Sequence, residues 1–357
     1  AGDLVLLATA SASGSIEPEI RLYPPSGAAE AQALGLKDSQ WLEHHLLQSG
    51  TYTVVVSDFG LDEEGGYGLS LVILPGAVTS PGDTDGGTIM SGGTKAGVLS
   101  SQADTDVFQF YGTAGSRVLL SASSTAIEPH LRLFSPGGVL EQTFLSPAKS
   151  AREDWQLLET GIYTLVISDG GLNSWGSYAL SVVQVPGGIS PSDDTGDNDG
   201  GLLANAETKF GAFHLPADQD VFHFSARAGD RVTITANAYR SNVQPDLYLY
   251  PPGGGALEAS ATGTVLPQKL THTLLEDGLY TVVLGENGQN ATGYYSIVLS
   301  LSAASPAPTI ANIFPPNGTS VVVSETRFRW DPVTGATAYD VYHGTHPLQP
   351  LTFLQTV

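Results

Sequence analysis

Eight aspartates form the most pointed chemical pattern in this 357-residue chain. Asp83 and Asp85 stand in Pro81-Gly-Asp-Thr-Asp-Gly-Gly87, and Asp104 and Asp106 open Asp104-Thr-Asp-Val-Phe108-Gln-Phe110. The same four positions return 114 residues later as Asp197, Asp199, Asp218 and Asp220. Alternating carboxylates on a turn that Gly permits are how hard oxygen ligands are gathered around Ca²⁺. Each set therefore reads as holding one Ca²⁺ where a linker meets a folded domain. The remaining EF-hand positions are missing, and Asp and Gly are also favoured in solvated turns for conformational reasons alone.

Other chemistry finds less support. There is no G-x-S-x-G elbow, zinc-binding H-E-x-x-H or phosphate-binding G-x-x-x-x-G-K-[ST]. His44 and His45 precede Leu46-Leu47, but the matching positions hold Trp155 and Gln156, then His272 and Thr273, so they read as strand or loop residues. No cysteine is present to serve as nucleophile, disulfide or metal cage. The formal net charge of -22 argues against nucleic acid or an anionic membrane as partner. No apolar run approaches the roughly 20 residues of a membrane helix. Asn290-Ala-Thr292 and Asn317-Gly-Thr319 fit the N-glycosylation sequon. With no catalytic residues to name, the chain reads as non-enzymatic.

The elements that must position these residues are strands. Short alternating runs such as Asp106-Val-Phe108-Gln-Phe110 and Gly161-Ile-Tyr163-Thr-Leu165-Val-Ile167, broken by Gly, Pro and Asp, read as half-buried antiparallel strands. Forty-two Gly and twenty-two Pro supply many turns. The pattern repeats. Ala1-Gly2, Ala114-Gly115 and Ala228-Gly229 match, as do Pro18, Pro129 and Pro245, and Tyr52, Tyr163 and Tyr280. Gly66-Tyr67, Ser177-Tyr178 and Gly293-Tyr294 are read as a further match. The expected domains are 1–76 with its opening strands missing, 77–188, 189–303, and a linker with a different segment over 304–357. The first three are expected to hang as beads on a string.

In the order and spacing of these motifs, residues 1–303 resemble the bacterial pre-peptidase C-terminal domain. The resemblance implies compact jelly-roll-like sandwiches, typically non-catalytic, appended to secreted peptidases and other exported proteins. Some relatives bind calcium and collagen or polysaccharide, and the context implies an extracellular or cell-surface location. Phe328-Arg-Trp330-Asp-Pro332 and Gly335-Ala-Thr-Ala-Tyr339-Asp-Val341 resemble the opening half of a fibronectin type III domain. The expected class is thus all-β: three tandem sandwiches plus a partial immunoglobulin-like segment.

Three functions follow as expectations. The leading one is a structural or adhesive extracellular protein, a stalk or a filament built from copies of itself. The open first domain would accept a strand from another subunit head-to-tail, with Thr326-Arg-Phe328-Arg-Trp330 as the candidate donor. A fragment of a longer chain explains the same broken ends. The second is a set of accessory modules of a secreted hydrolase or peptidase, binding collagen, polysaccharide or another matrix. The third, an enzyme with an unrecognised carboxylate pair, needs two carboxylates converging in a pocket.

Overall fold

The computed structural model describes residues 1–35, 37–76, 84–186, 199–303, 330–333, 336–343 and 352–356. Among them there is no helix. The chain divides into two compact units, Ala1–Ala303 and Ala304–Val357.

Within the first unit three repeats follow one plan. Repeat 1 contains β1 (Leu4–Gly14), β2 (Pro18–Tyr23), β3 (Ala31–Ala33), β4 (Ser39–His45), β5 (Thr53–Asp58) and β6 (Gly65–Leu74). Repeat 2 contains β7 (Gly87–Thr88), β8 (Gly93–Leu99), β9 (Thr105–Gly112), β10 (Arg117–Ser124), β11 (Pro129–Phe134), β12 (Leu140–Leu145), β13 (Ser150–Gln156), β14 (Gly161–Asp169) and β15 (Gly176–Val185). Repeat 3 contains β16 (Gly201–Leu202), β17 (Thr208–Phe213), β18 (Gln219–Ala226), β19 (Arg231–Ala238), β20 (Pro245–Tyr250), β21 (Ala259–Ala261), β22 (Gln268–Thr273), β23 (Gly278–Glu286) and β24 (Gly293–Ser302).

Repeat 2 pairs these strands into two sheets, β13-β10-β15-β8 and β12-β11-β14-β9-β7. Repeat 3 does the same with β22-β19-β24-β17 and β21-β20-β23-β18-β16. Repeat 1 has the lists cut short at one end, β4-β1-β6 and β3-β2-β5. The inner faces close over alternate residues. Val118, Leu120, Leu131, Leu133, Tyr163, Leu165, Ile167, Leu180 and Val182 form the core of repeat 2 with Phe108 and Phe110. Val232, Ile234, Leu247, Leu249, Tyr280, Val282, Ile297 and Leu299 do so in repeat 3.

Local chemistry explains the recurring turns. Gly2, Gly115 and Gly229 have φ of 92°, 86° and 84°, a conformation Gly adopts without strain, just before β1, β10 and β19. A Tyr hydroxyl then ties each sheet corner to the residue four positions upstream. Tyr163 accepts from the Glu159 N–H at 2.8 Å and donates to the Glu159 carbonyl at 3.1 Å, and Tyr52 with Gln48 and Tyr280 with Glu276 repeat this.

One register differs from the sequence match. Tyr178 corresponds to Tyr295, not Tyr294: both Tyr178 and Tyr295 are buried core residues, whereas Tyr294 is 61% exposed. Two adjacent tyrosines leave the choice to the sheet, and the inward one is fixed by the pairing of Gly293 with Phe213.

The repeats are not separate beads. Leu4, Leu6, Val72 and Leu74 of repeat 1 pack on Val107, Phe134 and Val166 of repeat 2. Leu119, Val183 and Val185 of repeat 2 pack on Tyr250 and Val283 of repeat 3, with Val221 and Tyr248 beside them. Each contact stacks the outer face of one sheet on the outer face of the next repeat's opposite sheet.

In the second unit, described by itself, β25 (Asp340–His343) pairs antiparallel with β26 (Thr352–Thr356). The Trp330 and Tyr339 rings meet edge-on at 5.4 Å, and the Tyr339 hydroxyl accepts from the Val333 N–H.

Candidate functional site

The aspartates singled out by their spacing are built into turns. Asp83, Asp197 and Asn317 lie outside the described residues. Asp85 accepts from the Val98 N–H at 2.8 Å, and Asp199 accepts from the equivalent Ala212 N–H at 2.6 Å. Asp104 caps Ser100 and Thr105, and Asp218 caps His214 and Gln219. Asp106 receives the Tyr178 hydroxyl at 2.6 Å, and Asp220 receives that of Tyr295 at 2.8 Å. Burial first, then the neighbouring Asp220, Asp199 and Asp218, hold the Tyr295 hydroxyl well above the usual phenol range. Asp218 also reaches across to repeat 2, accepting from Thr94 Oγ1 at 2.8 Å. Among the described residues no group of three or more His, Asp or Glu side chains is arranged to hold a metal ion. Asn290 is exposed, and its N–H donates to Glu286.

Two glycines were the signal for this arrangement. A Cβ on Gly97 would lie 2.3 Å from the Tyr178 hydroxyl, and one on Gly211 would lie 2.3 Å from that of Tyr295. Only a residue without a side chain lets the tyrosine lie flat on β8 or β17.

His44 and His272 are structural. His44 bonds Glu30 at 2.8 Å and His272 bonds Glu258 at 2.9 Å, both glutamates being buried. At the same position of repeat 2, Trp155 Nε1 donates to Glu141 at 3.1 Å. His and Trp share one property here: a ring nitrogen that satisfies a carboxylate tucked beneath the sheet corner.

The stacked faces are the larger feature. Phe134 is 0% and Tyr250 1% exposed although both point away from their own cores. A cation–aromatic pair recurs at each contact with its members exchanged. Arg132 of repeat 2 lies 4.0 Å over the Trp41 ring of repeat 1, and Arg152 of repeat 2 lies 4.7 Å over the Tyr248 ring of repeat 3. Arg132 also meets Glu43 at 3.3 Å, and Tyr250 donates to Asp154 at 3.0 Å. Leu172 inserts among Ala8, Ala10 and Ala103, while its counterpart Gln289 bonds Ser121 at 2.8 Å. The equivalent outer face of repeat 3 carries Thr233, Thr235, Lys269 and Ser300, which are half-buried or exposed.

At the other end, repeat 1 lacks counterparts of β8 and β9 among the described residues. Tyr67, Leu69 and Leu71 are 50%, 44% and 51% exposed, against 3%, 0% and 0% for Tyr178, Leu180 and Val182.

No family model matches the chain, and no curated protein matches it. Solved structures it is similar to include the pre-peptidase C-terminal domain of a collagenase from Bacillus anthracis. That likeness has 18% identity, covers 29% of this chain and 99% of the other, and has a TM-score of 0.25. A periplasmic inhibitor of g-type lysozyme from Salmonella Typhimurium has 19% identity, covers 29% of this chain and 100% of its own, and has a TM-score of 0.23. The CBM22-1–CBM22-2 tandem domain of Xyn10C from Paenibacillus barcinonensis has 9% identity, covers 60% of this chain and 92% of its own, and has a TM-score of 0.20. At these TM-scores the likenesses decide nothing further about the chain.

Proposed function

We propose that this chain is a non-catalytic structural protein acting outside the cell or at its surface, a rigid stack of β-sandwiches serving as a stalk or filament segment. The observation that carries the reading is the pair of dry contacts between repeats, where outward-facing side chains of neighbouring sheets are withdrawn from water. Flexible tethers leave such faces polar. Burial at roughly 25 cal/mol per Å² makes apolar ones costly to separate. Stacked sheets hold distance and direction, which is what a stalk needs.

The tryptophans speak against a polysaccharide platform. Trp41 lies in a contact between repeats and Trp155 serves Glu141, while Trp175 alone is strongly exposed within the first unit, at 57%. The described tryptophans of the first unit form no shared exposed face. Negative-stain microscopy of the natural material with intact mass tests the proposal. Straight rods or filaments of one subunit mass support it. Single bent particles within a larger secreted hydrolase would put the repeats among its accessory modules instead.

A second reading concerns calcium. It rests on the recurrence of the aspartates at one offset in repeats 2 and 3. Ca²⁺ there, and at the Asp85, Asp104 and Asp106 turn, would stiffen the junctions between repeats. Isothermal titration with calcium, against a chelated control, tests it.

A further inference from the structure

The two contacts between repeats differ in where their cation comes from, and the difference makes one of them rich in hydrogen-bond donors. In the contact between repeats 2 and 3, Arg152 comes from β13 and lies against outward residues of repeat 3. A Cβ on Gly285 would stand 2.0 Å from its Nη2, so the guanidinium rests on that glycine. Gly285 is the cross-strand partner of Asp246, which is 2% exposed. Burial lifts the Asp246 carboxyl above its ordinary range, and Asn287, Gly263 and then Arg152 oppose the lift. A carboxylate thus faces this buried cation.

In the contact between repeats 1 and 2 the cation is Arg132, on β11 of repeat 2. The positions of Asp246 and Gly285 are here His130 and Ser168, again cross-strand partners. Partners of this kind stand about 5 Å apart at their Cβ atoms. Arg132 is the next residue after His130 on the same face of β11, and Ser168 is 0% exposed. Among the described residues, Arg132 Nε and Nη2, Ser168 Oγ and His130 Nδ1 are buried and have no hydrogen-bond partner. Glu43 meets Nη1 alone, at 3.3 Å, and its side chain is 40% exposed. Burial, and after it the Arg132 charge, lower the His130 pKa, against a smaller pull from Asp169. Asp169 is itself turned to the N–H groups of Glu128, Asn173 and Ser174.

We propose that Arg132, Ser168 and His130 form a binding site for a monatomic anion, chloride in ordinary salt, at the contact between repeats 1 and 2. The anion would serve Arg132 as Asp246 serves Arg152. The guanidinium nitrogens only donate, and the serine hydroxyl is free to donate. His130 donates from Nδ1 when its Nε2 accepts from Thr143 Oγ1 at 3.0 Å. A water would bring two protons that need acceptors of their own, whereas a halide brings none and takes every donor. Charge favours it too, because a buried guanidinium is destabilising until its donors are met. Cover sets the size: the Trp41 ring lies 4.0 Å from the Arg132 guanidinium, and Arg132 is only 7% exposed. A site closed in this way suits a single atom rather than a hydrated oxyanion. The inference goes beyond the stalk reading and does not depend on it.

The test follows the thermal midpoint of the 357-residue chain as sodium chloride replaces sodium gluconate at constant ionic strength and neutral pH, with the chloride NMR line width recorded on the same samples. The expected result is a saturable rise of the midpoint with chloride and a broadened chloride line that bromide narrows by displacement. Ser168→Ala removes one neutral donor and little volume, and should raise the apparent dissociation constant about 2- to 10-fold. Arg132→Met keeps an unbranched side chain beside Trp41 and should raise it about 10-fold or more. Arg152→Met, in the other contact, should lower the midpoint and leave the chloride constant at the parent value. A midpoint that ignores chloride would overturn the proposal, and the buried donors would then hold water alone. So would a chloride response that survives unchanged in both Ser168→Ala and Arg132→Met, or one that Arg152→Met abolishes. Bent particles in microscopy together with an intact chloride response would remove the stalk reading and leave the anion site standing.

Discussion

Phe134→Ala isolates the contact between repeats 1 and 2, because Phe134 contributes to it without belonging to its own repeat's core. It points outward from β11, beside the inward Leu131 and Leu133, and is 0% exposed because Leu4, Leu6, Val72 and Leu74 cover it. Emptying such a site costs about 3–5 kcal/mol, the range for removing a buried Phe and leaving a cavity. The same position of repeat 1 is Tyr23, which is half-buried. Tyr23→Ala should change stability by about 0.5 kcal/mol, as surface substitutions do. Trp41 reports the event directly, since its ring lies 4.0 Å under the Arg132 guanidinium. Equilibrium denaturation followed by tryptophan fluorescence should show an early transition in Phe134→Ala that neither the parent nor Tyr23→Ala displays. Equal effects of the two substitutions would refute the coupling of repeats by this face.

Three further predictions follow the same geometry. Gly285→Ala would place a Cβ 2.0 Å from Arg152 Nη2, forcing the guanidinium off the Tyr248 ring. A loss of about 1–2 kcal/mol is expected; in an Arg152→Ala background most of it should vanish, and a denaturant double-mutant cycle measures the difference. Burial first of all raises the Tyr163 hydroxyl to about 12, while an unfolded tyrosine titrates near 10. The folded state thus holds this proton more tightly, so its contribution is intact below about pH 10 and is lost as pH rises towards 12. Denaturant midpoints across that window should fall less steeply in Tyr163→Phe than in the parent. Calcium at about 100 times its dissociation constant should add about 2.7 kcal/mol to stability. Asp220→Asn should reduce that gain, and identical calorimetric melting in calcium and chelator would remove the metal reading.

Much of the architecture is legible in the residues. Period-two runs mark the strands, Gly and Pro mark the turns, and the recurring Ala-Gly, Pro and Gly-x-Tyr motifs mark the repeats. The contacts between repeats were hidden by the same rule that found the strands. Alternation leads one to assign Val107, Phe134, Val166 and Val183 to solvent. Yet Leu165-Val-Ile167 and Val182-Val183 are unbroken apolar runs, the mark of a strand covered on both faces. Such runs were the available signal. Asp104 and Asp218 were visible as acidic turn residues, but their donors on Ser100 and His214 depend on how the chain bends back. The bond from Thr94 to Asp218 spans 124 residues, and no local spacing foretells it. From the sequence, His44, with Trp155 and His272 at the matching positions, reads as a strand or loop residue. In the structure the exchange is a change of donor to one buried glutamate.

The rigid stack is tested most directly by electron–electron distance measurement between spin labels on repeats 1 and 3. The chain has no cysteine, so Gln32→Cys on β3 and Ser260→Cys on β21, both exposed, give unique attachment points. Dry contacts on both sides of repeat 2 predict one narrow distance distribution, unchanged by moderate salt. Adding Phe134→Ala should broaden it. A broad distribution in the unaltered stack would mean that the repeats move independently, and would contradict the account at its centre.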